Sequence, residues 1–128
     1  MSLDLYLEAD NALTTSTLGQ ALKNAGASEV NMLDGGLEAA FISGLTLTAD
    51  GVTTDSMIYA EDTKGMDFRV ATRCFIRIKG PDPEGHSTMD DLGKIAESIA
   101  ETCLSLFLIT FQFEETLYWR DFTGLHRI

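Results

Sequence analysis

Basic residues are scarce in this chain. Nine lysines and arginines stand against twenty aspartates and glutamates, a net charge of −11 over 128 residues. Between Met1 and Asp62 the imbalance is steeper, with ten acids (Asp4, Glu8, Asp10, Glu29, Asp34, Glu38, Asp50, Asp55, Glu61, Asp62) and one base, Lys23. A field of that sign repels nucleic acid and anionic membranes and attracts cations and basic proteins. Cysteines number only two, Cys74 and Cys103. They form no Cys-x-x-Cys pair and lie in apolar periodic segments, so they read as reduced core thiols rather than a disulfide or redox site. Long apolar runs are missing too. The longest, 104–109, is interrupted by Ser105 and is far shorter than the roughly 20 residues a membrane helix needs. The N-terminus has neither a basic n-region nor an apolar h-region, so no signal peptide is read there and the expected address is the cytoplasm.

Catalytic motifs are absent as well. There is no Gly-x-Ser-x-Gly, no Gly-x-x-x-x-Gly-Lys-Ser/Thr, no His-Glu-x-x-His and no EF-hand loop. Asp82-Pro83-Glu84-Gly85-His86 puts three donor side chains within five residues, but without further ligands at defined spacing it reads as a polar turn. Asp90 and Asp91 are adjacent on a helix, so their side chains point about 100° apart and do not form a carboxylate pair; the favourable end of the helix dipole accounts for them. Glu114 and Glu115 close an apolar strand and read as its solvated end. His126 lies in the C-terminal tail beside Arg127. The expectation is a binding protein and not an enzyme, with no catalytic residue, no cofactor and no metal.

What is present is a well-patterned globular domain. Hydrophobic residues make up 45% of the chain and run along its whole length, and 128 residues suffice for one core. One domain, 1–128, is expected, with no linker, repeat or low-complexity segment. Leu3, Leu5 and Leu7 alternate with Asp4, Tyr6 and Glu8, the period of a half-buried strand. Leu18, Ala21, Leu22 and Ala25 mark a helical face, with Thr17 and Gln20 fitting a capping box and Gly26 a stop. Turns at Asp34-Gly35-Gly36, Asp50-Gly51 and 61–65 then imply a meander with strands at 30–33, 37–48, 56–61 and 67–79, and Gly44 as a bulge in the second. A second helix, capped by Ser87 or Thr88, carries Met89, Leu92, Ile95, Ala96, Ile99, Ala100 and Cys103 on its apolar side. The run 104–113 reads as a central strand, and 117–122 as a last edge strand. The order β-α-β-β-β-β-α-β, with a possible ninth element, predicts an α+β two-layer sandwich whose mainly antiparallel sheet carries two helices on one face.

In the 67–79 segment Arg69, Arg73, Arg77 and Lys79 fall on one side. Read as a site, they would hold an anion or a nucleic acid; read as sheet chemistry, they pair across strands with Asp4, Glu8 or Glu61, each pair contributing roughly 0.2–1 kcal/mol. The second reading fits the excess of acids elsewhere. A contact surface is read instead from the loop acids Asp34, Asp50, Glu61 and Asp62, the strand-end acids Glu114 and Glu115, and the aromatic pair Tyr118 and Trp119. Aromatic side chains of this kind dominate interface hot spots.

In size, acidity and lack of chemistry the whole chain resembles the immunity proteins with which bacteria neutralise polymorphic or contact-dependent toxins. The resemblance is one of class and rests on no motif. It implies a cytoplasmic role in interbacterial competition, in which carboxylates bind and occlude a basic toxin domain in place of its anionic substrate. Type III secretion chaperones are the alternative, although this chain opens with a strand and ends in aromatics where those begin and end with helices. A metabolite binder or enzyme using the open sheet face, with Arg69, Arg73, Tyr6 and Tyr59, is the third reading. The expected partner is a protein, with no nucleic acid and no membrane, and the chain itself is a monomer or a homodimer. A stable dimer points towards the chaperone, and a monomer joining one partner in equal stoichiometry towards immunity.

Overall fold

A computed structural model describes residues 2–128. The elements run β1 (Ser2–Ala9), α1 (Thr15–Asn24), β2 (Glu29–Leu33), β3 (Gly36–Ala40), β4 (Leu45–Val52), β5 (Thr72–Lys79), α2 (Thr88–Thr102), β6 (Phe107–Phe111), β7 (Glu115–Asp121) and β8 (Gly124–Arg127). All eight strands form one antiparallel sheet in the order β2-β3-β4-β5-β1-β6-β7-β8. The α+β class and the two-helix order are as the sequence predicts.

The topology is two meanders closed around the first strand. α1 carries the chain from β1 to the far edge, β2 to β5 walk back to β1, and α2 carries the chain past β1 to start β6–β8. Period-two alternation sends Leu5, Leu7 and Ala9 of β1 to one side, where they meet Ile76 and Cys74 of β5 and Phe111, Ile109 and Phe107 of β6 in direct register. The buried residues of α1 (Leu18, Ala21, Leu22) and of α2 (Leu92, Ile95, Ala96, Ile99) belong to the same core cluster as that side of the sheet. Its other side, called here the second face, presents Tyr6 and Glu8 of β1 beside Phe75 and Arg73 of β5.

Capping follows the expected chemistry one turn earlier than read from the sequence. Thr14, not Thr17, is the α1 cap, its Oγ1 accepting from the Thr17 backbone N–H at 3.1 Å, while Gln20 donates to Asn24 instead of closing a box. Ser87 caps α2, accepting from the Asp90 N–H at 3.2 Å.

The middle of the chain departs from the pattern read above. Gly44 is a turn glycine (φ 100°) between β3 and β4, not a bulge, because the Gly44 N–H closes a turn onto the Phe41 carbonyl at 3.0 Å. The expected strand at 56–61 does not form, and β5 begins at Thr72 rather than at residue 67. The Asp50-Gly51 pair makes no hairpin; it lies inside β4 at a register shift between Ala49 and Val52. β4 pairs directly with β5, so no place between these two strands remains for 53–71. At the C-terminal end, the 104–113 run forms a strand only from Phe107 to Phe111, with Leu104 81% exposed, and the aromatic tail supplies two strands rather than one.

Candidate functional site

Residues 53–71 cross the second face as an irregular strap. Its base is closed by backbone bonds from Thr53 N to Ala71 O (3.2 Å) and from Val70 N to Ser56 O (2.9 Å). Its centre is pinned by Glu8, a carboxylate with no exposed surface. Glu8 Oε1 accepts from the Ala60 N–H at 3.0 Å, and Oε2 accepts from the Tyr59 N–H at 2.8 Å and from Arg73 Nη2 at 3.1 Å. Arg73 spends its remaining donors on the strap, reaching the Met57 carbonyl at 2.6 Å and Thr53 Oγ1 at 3.0 Å, with its guanidinium 3.8 Å from the Tyr59 ring centroid. A buried charge is tolerable only when paired and hydrogen-bonded; here Arg73 of β5 supplies the pairing and the strap supplies the N–H donors. Asp55 accepts from the Tyr59 hydroxyl, which holds the Asp55 carboxyl below and the Tyr59 phenol above their ordinary values.

The strap ends against the β6–β7 turn. Gln112 and Phe113 there both take positive φ (53° and 62°), a conformation that costs non-glycine residues of order 1–3 kcal/mol each and persists only where surroundings enforce it. The enforcement is visible. Gln112 N–H donates to the Asp4 carbonyl at 3.1 Å, Phe113 O accepts from Glu61 N–H at 2.7 Å, and the Phe113 ring stacks on Tyr6 (centroids 3.9 Å) and meets Tyr59 edge-on (5.7 Å). Thr116 Oγ1 donates to the Asp62 carbonyl, a second fastening between the same two segments. The result joins Glu61 and Asp62 to Glu114 and Glu115 on a rigid backbone. Glu61, Glu114 and Glu115 are exposed and, among the described residues, make no ion pair; Asp62 pairs with Lys64 at 2.9 Å, which holds its carboxyl below the ordinary range.

Beside this junction the second face continues over β7 and β8. Trp119 carries Lys64 Nζ 4.7 Å from its ring centroid and stacks with His126 at 5.3 Å. Asp121 Oδ1 accepts from the Thr123 hydroxyl at 2.6 Å and from its N–H at 2.8 Å, and lies 3.0 Å from His126 Nε2. The Thr123 hydroxyl and N–H, with His126 behind them, hold the Asp121 carboxyl down at about 2. Thr123 Oγ1 also lies 2.8 Å from the same His126 Nε2. A nucleophile–base–orienter relay needs the two different ring nitrogens, so this trio is built as a turn lock.

The residues singled out from the sequence thus separate into groups. Glu61, Asp62, Glu114 and Glu115 come together. Trp119 lies on the second face through its register with Leu108, whereas Tyr118, one residue away, points to the other side, where its Oη stands 3.0 Å from the place a Cβ would occupy on Gly93 of α2. Asp34 sits in the β2–β3 turn at the opposite edge of the sheet, and Asp50 at the β4 irregularity; neither joins the junction. Of the basic stripe, Arg73 and Arg77 pair with Glu8 and Asp4 (3.1 and 3.3 Å), the cross-strand partners their register dictates. Arg69 belongs to the strap and Lys79 to the exposed end of β5. Cys74 and Cys103 are free thiols, and burial, followed by the nearby Asp50 charge, pushes the Cys74 thiol up to about 12. Among the described residues no group of three or more His, Cys, Asp or Glu is placed to hold a metal ion, and no helix is long and apolar enough to cross a membrane.

Sequence reasoning missed the role of Phe113, took Tyr59 for part of an open sheet face where it belongs to the strap covering that face, and read Phe122 with the tail aromatics. The last stands 94% exposed in the β7–β8 turn, an unusual position for a phenylalanine. The signal for Phe113 lay in the run Phe111-Gln112-Phe113-Glu114-Glu115, where the alternation breaks at the turn. Comparison with known proteins returned no matching family model, no matching curated protein and no matching solved structure.

Proposed function

We propose that this chain is a cytoplasmic protein-binding domain that docks its strap–turn junction onto a basic protein surface, acting in the manner of immunity proteins that occlude a toxin domain. The observation that carries this reading is the joining of Glu61 and Asp62 to Glu114 and Glu115 across a doubly fastened, conformationally enforced backbone. Carboxylates held on a rigid frame lose little freedom on binding, so more of their attraction for a basic partner is retained as affinity. The net charge of −11 steers such a partner in, and Trp119, lying under the Lys64 that pairs with Asp62, offers aromatic area of the kind that anchors interfaces.

The test is capture of partners by the tagged chain at low salt, repeated at high salt and with Glu61→Lys/Glu114→Lys/Glu115→Lys. One basic partner in equal stoichiometry is expected, released by salt and by the triple variant, and toxic when produced without this protein. Several secreted partners would replace this reading with the chaperone. A partner that ignores the triple variant would remove the junction from the mechanism.

A further inference from the structure

The sheet has two open edges, and they differ. β8 is four residues long, begins with Gly124 and ends in Arg127; brevity and a terminal cation are among the devices that discourage strand addition. β2, Glu29-Val30-Asn31-Met32-Leu33, is one residue longer and carries no proline, no lysine and no bulge within its register to β3, its single charge being Glu29 at one end. Among the described residues no strand lies on its outer side. Leu33 and Gly36 flank the two-residue turn and so exchange both their backbone bonds; alternation then assigns Glu29, Asn31 and Leu33 to bonding with β3 and leaves the N–H and C=O of Val30 and Met32 directed outward. Met32 is 54% exposed and Leu33 48%.

We infer that β2 is a self-association edge, pairing antiparallel with β2 of a second copy about a two-fold axis at Asn31. The argument is one of register. Centring the pair on Asn31 uses all five residues, sets Val30 opposite the other copy's Met32 twice, and places those outward-directed backbone groups in bonding pairs, while Asn31 faces itself. It also sets Glu29 opposite Leu33, so no two like charges face each other, an arrangement that a sheet requires. Moving the centre by one residue either way brings Ser28 or Asp34 opposite an apolar partner. Val30 and Met32 share the side of the sheet that packs on α1, where Val30 already lies against the core and Met32 Sδ approaches Gly19. Self-pairing therefore extends the apolar core across the axis. Because β2 and β7–β8 are opposite ends of the sheet, this dimer leaves the strap–turn junction of each copy free, so a stable dimer, which from the sequence pointed towards the chaperone, is equally compatible with each copy binding one basic partner.

Each copy carries the same strong negative charge, so the dimer is held together against repulsion and tightens as salt screens it. Sedimentation equilibrium of the full chain at low and high salt tests this, with Met32→Pro as the variant. Proline at this position removes only an outward N–H and is tolerated in an edge strand, so the monomer keeps its circular dichroism. A concentration-dependent dimer is expected, stronger in high salt and weakened roughly tenfold or more by Met32→Pro through loss of one bond per copy. Asn31→Cys supplies a readout that does not depend on the proline variant folding: mild oxidation should link two copies through residue 31, while Leu33→Cys, which faces Glu29, and the parent chain should not link. A monomer at every concentration in high salt, or a dimer that Met32→Pro leaves intact and Asn31→Cys does not trap, overturns the proposal.

Discussion

Glu8 shows how one residue changes its meaning between sequence and structure. In the alternation of β1 it is simply a polar position opposite Leu7; in the fold it is fully buried and accepts bonds from Tyr59, Ala60 and Arg73. Glu8→Ala strands the Arg73 charge and two backbone donors of the strap at once. Loss of one member of a buried pair costs about 3–5 kcal/mol, and chemical denaturation of the variant is expected to register a loss in that range, against a much smaller one for Asp4→Ala, whose pair with Arg77 is exposed. Asp121 gives a pH signature. Its carboxyl, ordinarily near 3.8, is held at about 2 by Thr123 and His126 in the folded chain. A depressed folded value means the unfolded chain takes up the proton first, so the contribution is complete above about pH 4 and disappears as pH falls towards 2. In acid titrations of stability, Asp121→Asn is expected to remove that part of the decline, so the gap between parent and variant closes across the same window.

At the scale of elements the strap is the main result. Its segments carry strand-like composition, and Phe68, Val70 and Thr72 continue the alternation of β5 back to residue 68, which is why a longer strand was expected there. What the pattern does not contain is competition for places in the sheet. Once β4 pairs with β5 through Leu45↔Ile78, Leu47↔Ile76 and Ala49↔Cys74, residues 53–71 have no place between those strands and are held instead over the second face by bonds to Glu8, Arg73 and the β6–β7 turn. The β2–β3 hairpin was easier to read because its determinants are local. The Asp34-Gly35 turn follows from one residue that accepts φ 80°, and Gly36 after it is required for a second reason: a Cβ there would stand 2.1 Å from the Ala49 carbonyl oxygen of β4. Gly36→Ala is therefore expected to force β3 and β4 apart, with destabilisation of a few kcal/mol or failure to fold, whereas Gly35→Asn should cost less, about 1 kcal/mol, because nothing lies near its Cβ and the positive φ is the only strain, one that asparagine bears better than most residues.

For the whole molecule, charge distinguishes the two association modes proposed above. Binding of a basic protein at the strap–turn junction is an attraction that salt screens, and self-pairing at β2 proceeds against a repulsion that salt also screens. Raising ionic strength from about 0.05 to 0.5 M, across which the screening length falls severalfold, is expected to weaken the first and strengthen the second. Parallel titrations of partner affinity and dimer affinity would show this, and a common direction for both would mean that at least one surface is misassigned.

The sequence by itself determined the local features of this protein: the period-two alternation of β1 and β5, the two helices with the Ser87 cap of α2, the Asp34-Gly35 turn, the acidic field and the individual loop acids. Each of these depends on residues within a few positions of one another, or on composition. Only the tertiary structure decided that β1 lies between two meanders, that Tyr118 and Trp119 serve opposite sides, and that residues 61–62 meet 114–115. Those facts rest on contacts such as Glu8 with Arg73, 65 positions apart, and Glu61 with Phe113. The physical reason is that a buried polar group specifies only that it needs a partner, and which partner it finds depends on where the rest of the chain has already packed.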